Sequence, residues 1–268
     1  MEKKLFVLDW DKCCNGEGGP GEPWDLDGLA KLAMTIANLP KKIGVCMLTG
    51  RGAQYGLAIA EALGLVKYHP DLWSGFEGGL IMALHTPSWQ CEYAKCVSPE
   101  YFNVRDILEA TLTPDIKKIG GKQEKKEICL TYNPPVGMSL DELLRIAKAC
   151  VEDLDLTEMV NITRTNSAVD IWPKSGAKEN NILYLCSRNG VDPENAIYID
   201  DAKSGIPVFD VVGYSGAPGN ASPEVKEAAG VVAKDNGALG VNQIIRFIVH
   251  FDDSGIARLN KAWGVSLF

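Results

Sequence analysis

The sequence lacks several features that mark common classes of protein. It has no run of about 18 consecutive apolar residues, the length that a transmembrane helix needs, and no signal-peptide core follows Met1-Glu2-Lys3-Lys4. Lysine and arginine number 27 against 35 aspartate and glutamate, so the formal charge is −8 and there is no basic footprint for nucleic acid or an anionic membrane. We therefore expect a cytoplasmic protein without nucleic-acid or membrane partners.

Histidine and paired cysteine motifs are also scarce. The three histidines, His69, His85 and His250, are scattered without a partner at ligand spacing, which argues against a histidine-based mechanism. The eight cysteines include no C-x-x-C pair and lie mostly within apolar runs, which favours reduced core thiols over disulfides or a zinc site. Because the chain is acidic overall, an anionic substrate must be bound by local groups.

The sequence does contain three apolar segments that end in polar residues. Leu5–Leu8 ends in Asp9-Trp10-Asp11, Ile43–Leu48 ends in Thr49-Gly50-Arg51, and Asn195–Ile199 ends in Asp200-Asp201. Such unbroken apolar runs predict strands in a sheet that is covered on both faces. Helices predicted over Leu29–Ala37, with Asp27 as N-cap, Gln54–Leu63 and Lys178–Asn189 alternate with these strands. The pattern predicts an α/β fold with a doubly wound parallel sheet.

The hydrophobic pattern of the sequence changes between residues 85 and 171. Segments 127–132 and 168–172 alternate in the manner of half-exposed strands, and segment 140–154 has the periodicity of an amphipathic helix. We therefore predict an inserted α+β domain at 85–171, within a discontinuous core formed by 1–84 and 172–268. In the second part of the core we also predict a strand at Val208–Val212 and a helix at Val241–His250. Residues 12–24 are predicted to form a glycine-rich loop after the first strand.

The carboxyl ends of parallel strands meet at one edge of a sheet, where ligands bind in such folds. Asp9, Asp11, Asp200 and Asp201 would repel one another and an anionic substrate there unless a cation lay among them, and an all-oxygen site suits Mg²⁺. One carboxylate can attack phosphorus, and a second two residues further on can exchange protons with the leaving oxygen and with water. The Thr49 hydroxyl, the Gly50 amide and one lysine would supply the donors that a phosphoryl group needs.

Four segments of the chain, in their order and spacing, resemble the motifs of the haloacid dehalogenase superfamily of phosphohydrolases. They are Asp9-Trp10-Asp11, Leu48-Thr49-Gly50-Arg51, Lys178 and Asp200-Asp201. The resemblance implies a Rossmann-like core with Asp9 as nucleophile, Asp11 as general acid and base, and Thr49, Gly50 and Lys178 at the phosphate. It also implies Mg²⁺ bound by Asp9, Asp11 through its carbonyl, and Asp200, with Asp201 acting through the water around the metal. Lys178 is preferred over Lys174 because it starts the helix that leads to Asp200.

The position of the insert, between the second and third motifs, is similar to that of the type II members with an α/β cap. Similarity to the sucrose-phosphate, trehalose-phosphate, mannosyl-phosphoglycerate and phosphoglycolate phosphatases implies a small phosphorylated metabolite as substrate, a sugar or sugar-acid phosphate. The chain departs from the family pattern at Lys12-Cys13 and Ser204. A phosphomutase and a non-catalytic binding protein on the same fold are the alternatives. Arg51 is open to two interpretations, a phosphate contact or a surface ion pair.

Overall fold

The computed structural model describes residues 3–16, 23–165 and 167–250 and the backbone of a short strand at 265–267. Residues 17–22 of the predicted glycine-rich loop lie outside the described residues. The chain divides into two compact units, a core unit (Met1–Glu92 and Lys178–Phe268) and an inserted unit (Tyr93–Ala177). No helix in the described ranges is long and apolar enough to cross a membrane.

The elements are named here in chain order. The strands are β1 (Lys4–Leu8), β2 (Ile43–Met47), β3 (Trp73–Phe76), β4 (Ile81–Leu84), β5 (Cys91–Tyr93), β6 (Lys122–Glu124), β7 (Leu130–Asn133), β8 (Val160–Arg164), β9 (Val169–Pro173), β10 (Ala196–Ile199), β11 (Tyr214–Ala217), β12 (Val231–Ala233) and β13 (Val265–Leu267). The helices are α1 (Leu26–Ala37), α2 (Ala53–Ala62), α3 (Leu65–Tyr68), α4 (Pro99–Lys118), α5 (Leu140–Asp153), α6 (Lys178–Asn189), α7 (Ile206–Phe209), α8 (Pro223–Ala228) and α9 (Gly237–His250).

The main sheet of the core unit has the strand order β13-β12-β11-β10-β1-β2 within the described residues. Its pairs are parallel except for the antiparallel pair of β12 with β13. Side chains of β1 alternate between two hydrophobic clusters: Phe6 and Leu8 face the cluster that includes α1 and α9, whereas Leu5 and Val7 face the one that includes α6. Both faces of this strand are therefore covered, and the predicted α/β class is confirmed.

The inserted unit has an antiparallel sheet with the order β6-β7-β9-β8. Helix α4 packs against β6 and β7, and α5 packs against β8 and β9. Burial alternates along β9, as expected for a sheet that is covered on one face. The unit starts at Tyr93 and ends at Ala177, beyond the predicted residues 85 and 171. The reason is that β5 continues the small β3-β4-β5 sheet, while β9 belongs to the sheet of the insert.

Two local predictions were wrong. Helix α1 is capped by Asp25, whose carboxylate accepts a 2.9 Å hydrogen bond from the Gly28 amide, and not by Asp27, which lies in the first turn. The apolar segment predicted as a strand at Val208–Val212 instead begins inside α7, and the strand of the sheet is β11. Short apolar runs do not distinguish a buried strand from a buried helix, and Pro207 near the helix start favours the helix.

Candidate active site

Three central strands bring the predicted site residues to one edge of the sheet. Asp9 follows β1, Thr49 lies just beyond β2, and Asp200 follows β10. Because β1 is hydrogen-bonded in parallel to both β2 and β10, these three strand ends are neighbours. The amide of Asp9 extends this pairing by donating to the Ile199 carbonyl at 2.9 Å.

A cluster of three buried acids lies at this edge. Asp9, Asp200 and Asp201 each offer a carboxylate oxygen, and these oxygens lie within 4.8 Å of one another. Lys178, the first residue of α6, places its Nζ 2.9 Å from Asp200 Oδ2 and 3.3 Å from Asp9 Oδ1. The lysine joins two of the three acids and compensates part of their charge. The structure thus brings together four of the residues predicted for the site.

Burial and mutual repulsion control the charge state of these groups. Burial raises the pKa of Asp9 well above its usual range, although Lys178 opposes this shift. Burial and the neighbouring Asp200 raise the pKa of Asp201 to about 7. Burial alone would lower the pKa of Lys178, but Asp200 and Asp9 outweigh it and raise that pKa, so the lysine stays cationic. The cluster holds more acid than one lysine balances, which is the charge pattern of a cation site.

Asp200 is fixed by two donors that the sequence analysis did not identify. The Tyr198 hydroxyl donates to Asp200 Oδ2 at 2.5 Å, and the Ala202 amide donates to Asp200 Oδ1 at 2.9 Å. The Tyr198 ring also lies under the Lys178 ammonium, 5.1 Å from its centroid. Side chains two residues apart in a strand point to the same side, and this periodicity was the signal that could have placed Tyr198 beside Asp200.

The donor set fits a hard divalent cation. Carboxylate oxygens are the ligands that Mg²⁺ prefers, and a small number of them suits an ion that keeps several waters. Asp201 Oδ1 is buried without a hydrogen-bond partner among the described residues, which is unfavourable unless another group binds it. Bound Mg²⁺ would supply positive charge that polarises a phosphoryl oxygen and offsets the repulsion between substrate and acids. Asp9, Asp200 and Asp201 would hold it.

The loop after β2 has the features of an anion-binding turn. Thr49 is fully buried, and its amide and carbonyl are engaged with Gly75 and Gly78. Gly50 is exposed, and open space surrounds the position that a side chain would take there. The Thr49 hydroxyl accepts the Arg51 amide at 3.3 Å, which leaves its proton available as a donor. The loop can therefore present the exposed Gly50 to a ligand, and the buried Thr49 hydroxyl is a second candidate donor.

Asp11 is the predicted site residue that the structure places differently. Its carboxylate is not one of the three clustered acids; it forms a bidentate ion pair with Arg51, with Nε to Oδ2 and Nη2 to Oδ1 both at 2.7 Å. Asn15 Nδ2 lies 3.5 Å from Oδ1 on the same carboxylate. The surface ion pair was one of the two interpretations of Arg51, but no sequence pattern indicated that Asp11 would be its partner.

Comparison with known proteins shows which families the chain is similar to. A family model described as haloacid dehalogenase-like hydrolase matches residues 137–245. The phosphoglycolate phosphatase of Methanopyrus kandleri is 27% identical over 214 residues, which cover 77% of this chain and 87% of that protein. The chain is therefore similar to haloacid dehalogenase-like hydrolases over residues 137–245 and to a phosphoglycolate phosphatase over most of its length. The predicted resemblance is thereby confirmed.

Two further similarities agree with this resemblance. The phosphoglycolate phosphatase of Aeropyrum pernix is 34% identical over 82 residues, a match that spans 31% of this chain and only 34% of that protein. The crystal structure of sucrose-phosphatase from Synechocystis sp. PCC6803, in complex with sucrose and phosphate, superposes with a TM-score of 0.66 at 17% identity. The superposition covers 92% of this chain and 98% of that chain, so the two proteins share a fold.

Proposed function

We propose that this protein is a haloacid dehalogenase-like, Mg²⁺-dependent phosphohydrolase that cleaves a small phosphomonoester through an aspartyl-phosphate intermediate. The observation that carries the proposal is the buried cluster of Asp9, Asp200 and Asp201, bridged by Lys178 at the edge where Thr49 ends the neighbouring strand. A cation site beside a nucleophilic carboxylate and an anion-binding loop is the set of groups that phosphoryl transfer requires.

Asp9 is the proposed nucleophile. One of its carboxylate oxygens forms a bond to phosphorus while the bond from phosphorus to the substrate oxygen breaks, and Asp11 donates a proton to that leaving oxygen. Asp11, now a carboxylate, then accepts a proton from a water molecule that attacks the same phosphorus while the bond from phosphorus to the Asp9 oxygen breaks. This second displacement releases inorganic phosphate and restores both side chains.

The other site residues bind the phosphoryl group and balance its charge. Lys178 stays cationic between Asp9 and Asp200, so it can orient the nucleophile and donate to a phosphoryl oxygen. The Thr49 hydroxyl and the Gly50 amide are the proposed donors to the remaining oxygens. Asp9, Asp200 and Asp201 would hold Mg²⁺, which would neutralise charge on the phosphoryl group. Tyr198 and the Ala202 amide keep Asp200 in place.

The curated relatives support a small metabolite as substrate. The two relatives reported above are named phosphoglycolate phosphatases, and the sucrose-phosphatase structure holds sucrose and phosphate. We therefore propose a sugar or sugar-acid phosphate, with selectivity assigned to the inserted unit. A phosphomutase would use the same acids but return the phosphoryl group to the substrate.

The test is a panel of sugar and sugar-acid phosphates, with p-nitrophenyl phosphate as a general substrate, assayed for free phosphate at increasing Mg²⁺ concentration. We expect phosphate release that stops in excess chelator and that needs more Mg²⁺ in the Asp200→Ala variant. Isomerised sugar phosphate without free phosphate would identify the mutase instead. A folded protein that neither hydrolyses these substrates nor binds Mg²⁺ would contradict the proposal. That result would favour a binding role.

A further inference from the structure

The ion pair between Arg51 and Asp11 conflicts with the proton transfers assigned to Asp11. The guanidinium donates to both carboxylate oxygens at 2.7 Å, and Asn15 lies near one of them. To donate or accept a proton, Asp11 needs one carboxyl oxygen free to face the leaving oxygen or the water, whereas both of its oxygens here accept from the guanidinium. Asp11 therefore has to leave this pair before it can act.

The pair is placed where it can open easily. The side chains of Arg51 and Asp11 are 26% and 41% exposed, and ion pairs at such positions contribute little to folding stability. The backbone of Arg51 is fixed independently, because its amide donates to Thr49 Oγ1 and its carbonyl accepts from the Glu77 amide at 2.9 Å. The guanidinium also lies over the Tyr55 ring, 4.9 Å from the centroid. Rotation of the Arg51 side chain alone would separate the two charges.

A phosphoryl group is the natural competitor for this guanidinium. Arg51 lies two residues after Thr49, in the loop that the proposed function assigns to phosphate binding. A guanidinium matches phosphate with the same two-point geometry that it offers a carboxylate, and phosphate carries more charge. Substrate arriving at Thr49 and Gly50 would therefore draw Arg51 away from Asp11.

We propose that Arg51 couples phosphate binding to the release of Asp11: it holds Asp11 in the free protein and exchanges that carboxylate for the substrate's phosphoryl group. The proposal rests on the proposed function of the same site and adds a substrate-binding role for Arg51. Asp11 is thereby kept from proton transfer until a phosphoryl group is in place. Asn15 remains as a donor to the released carboxylate.

The test is a double-mutant cycle on phosphate affinity, measured by calorimetry with inorganic phosphate at saturating Mg²⁺, which requires no turnover. Arg51→Met should weaken phosphate binding about tenfold, because a charge-assisted contact is lost. Asp11→Asn should strengthen it about fivefold, because the competing carboxylate is removed. In the Arg51→Met background the same Asp11→Asn change should alter affinity by less than about twofold.

Steady-state kinetics and a matched control complete the experiment. Arg51→Met should raise KM as well as lower kcat, whereas loss of a residue that only orients Asp11 would lower kcat at constant KM. Arg51→Lys keeps the charge without the two-point geometry and should recover part of the affinity. Arg188 is the control, because it forms a similar pair with Glu92 and lies over the Trp73 ring, 4.3 Å from its centroid. Arg188→Met should leave phosphate affinity unchanged.

Two results would overturn the proposal. First, Asp11→Asn could raise phosphate affinity equally with and without Arg51, which would mean that Asp11 only repels phosphate. Second, folded Arg51→Met and Arg51→Lys could both keep the phosphate affinity of the wild type, which would mean that Arg51 only supports Asp11. Wild-type protein that binds no phosphate would overturn it as well. Failure of the proposed function has a different signature: phosphate binds and the cycle can be measured, but p-nitrophenyl phosphate is not hydrolysed.

Discussion

The candidate site contains two ion-paired regions that differ in burial. In the first, Lys178 joins Asp9 and Asp200, with side chains that are 15%, 11% and 0% exposed. In the second, Arg51 pairs with Asp11, and both side chains are substantially more exposed. A buried pair is strongly destabilised when one partner is removed, whereas an exposed pair exchanges its partners with water or ligand at little cost. The first region is suited to hold charge in place and the second to change partners.

The largest effect is expected in the buried region, from Asp9→Asn. An amide cannot attack phosphorus, so hydrolysis of p-nitrophenyl phosphate should fall by on the order of a thousandfold or more. Thermal unfolding and circular dichroism should show that the variant is folded. Hydrolysis by Asp9→Asn at the rate of the wild type would show that Asp9 is not the nucleophile. The two regions would then not differ in function as proposed.

Replacing the cationic side chain of each region, Lys178 or Arg51, should lower the free energy of unfolding by different amounts. Lys178→Met leaves Asp9 and Asp200 buried without their cation, and we expect the free energy of unfolding to fall by about 3 kcal/mol in the absence of Mg²⁺. Arg51→Met should change it by less than about 1 kcal/mol. Urea unfolding of both variants, each with and without Mg²⁺, measures the difference.

Mg²⁺ should recover part of the stability lost in Lys178→Met, because a cation among the acids replaces the missing charge. It should have no such additional effect on Arg51→Met, whose partner Asp11 lies outside the acid cluster. Equal losses in the two variants would show that burial does not distinguish the pairs.

The pH dependence of Mg²⁺ binding tests the charge of the buried region. Asp201 has a pKa of about 7 in the metal-free fold, against 3.8 for an ordinary aspartate, so the folded protein retains this proton longer than the unfolded chain. Protonated Asp201 therefore adds to the free energy of unfolding. The full contribution is present below pH 3.8 and is lost as the pH rises through 7. Mg²⁺ must displace the same proton, so its affinity should be about tenfold weaker at pH 6 than at pH 8.

Calorimetric titration of Mg²⁺ at the two pH values measures this change. The increase in Tm on adding Mg²⁺ should likewise be larger at pH 8 than at pH 6. Asp201→Asn provides the control, because an amide has no proton to displace there, and the pH dependence should become smaller. The part that remains is assigned to Asp9, whose pKa is also raised by burial. A pH dependence of unchanged size in that variant would show that Asp201 does not cause it.

Sequence patterns predicted the parts of the molecule that follow from apolar runs and strand ends. The run Leu5–Leu8 indicated a strand covered on both faces, and the acids that follow β1 and β10 come together as expected. The partner of Asp11 could not be predicted, because the contact joins residues 40 positions apart through rotamers that no periodicity specifies. The prediction of a strand at Val208–Val212 was wrong for a local reason, because an apolar run of that length fits a buried strand or a buried helix.

The smallest effect is expected at Lys12, one of the departures from the family pattern. Lys12 has a φ of 60°, in the left-handed region that favours glycine, and it persists there because its amide donates to Asn15 Oδ1 and its carbonyl accepts from Asn220 Nδ2. Lys12→Gly should relieve backbone strain of about 1 kcal/mol, offset in part by the greater freedom of glycine in the unfolded chain, for a net gain below about 1 kcal/mol.

The Lys12 side chain also affects the acids, because its charge lowers the pKa of Asp201 slightly against the larger effects of burial and Asp200. Lys12→Met removes this charge and keeps the strained backbone, so it is the matched control. At pH 8, where Asp201 has lost most of its proton, both variants should bind Mg²⁺ about twofold more tightly, as expected for loss of one exposed charge. Only Lys12→Gly should gain stability in urea unfolding. If Lys12→Met gained as much stability as Lys12→Gly, charge rather than backbone strain would be the dominant cost at this position.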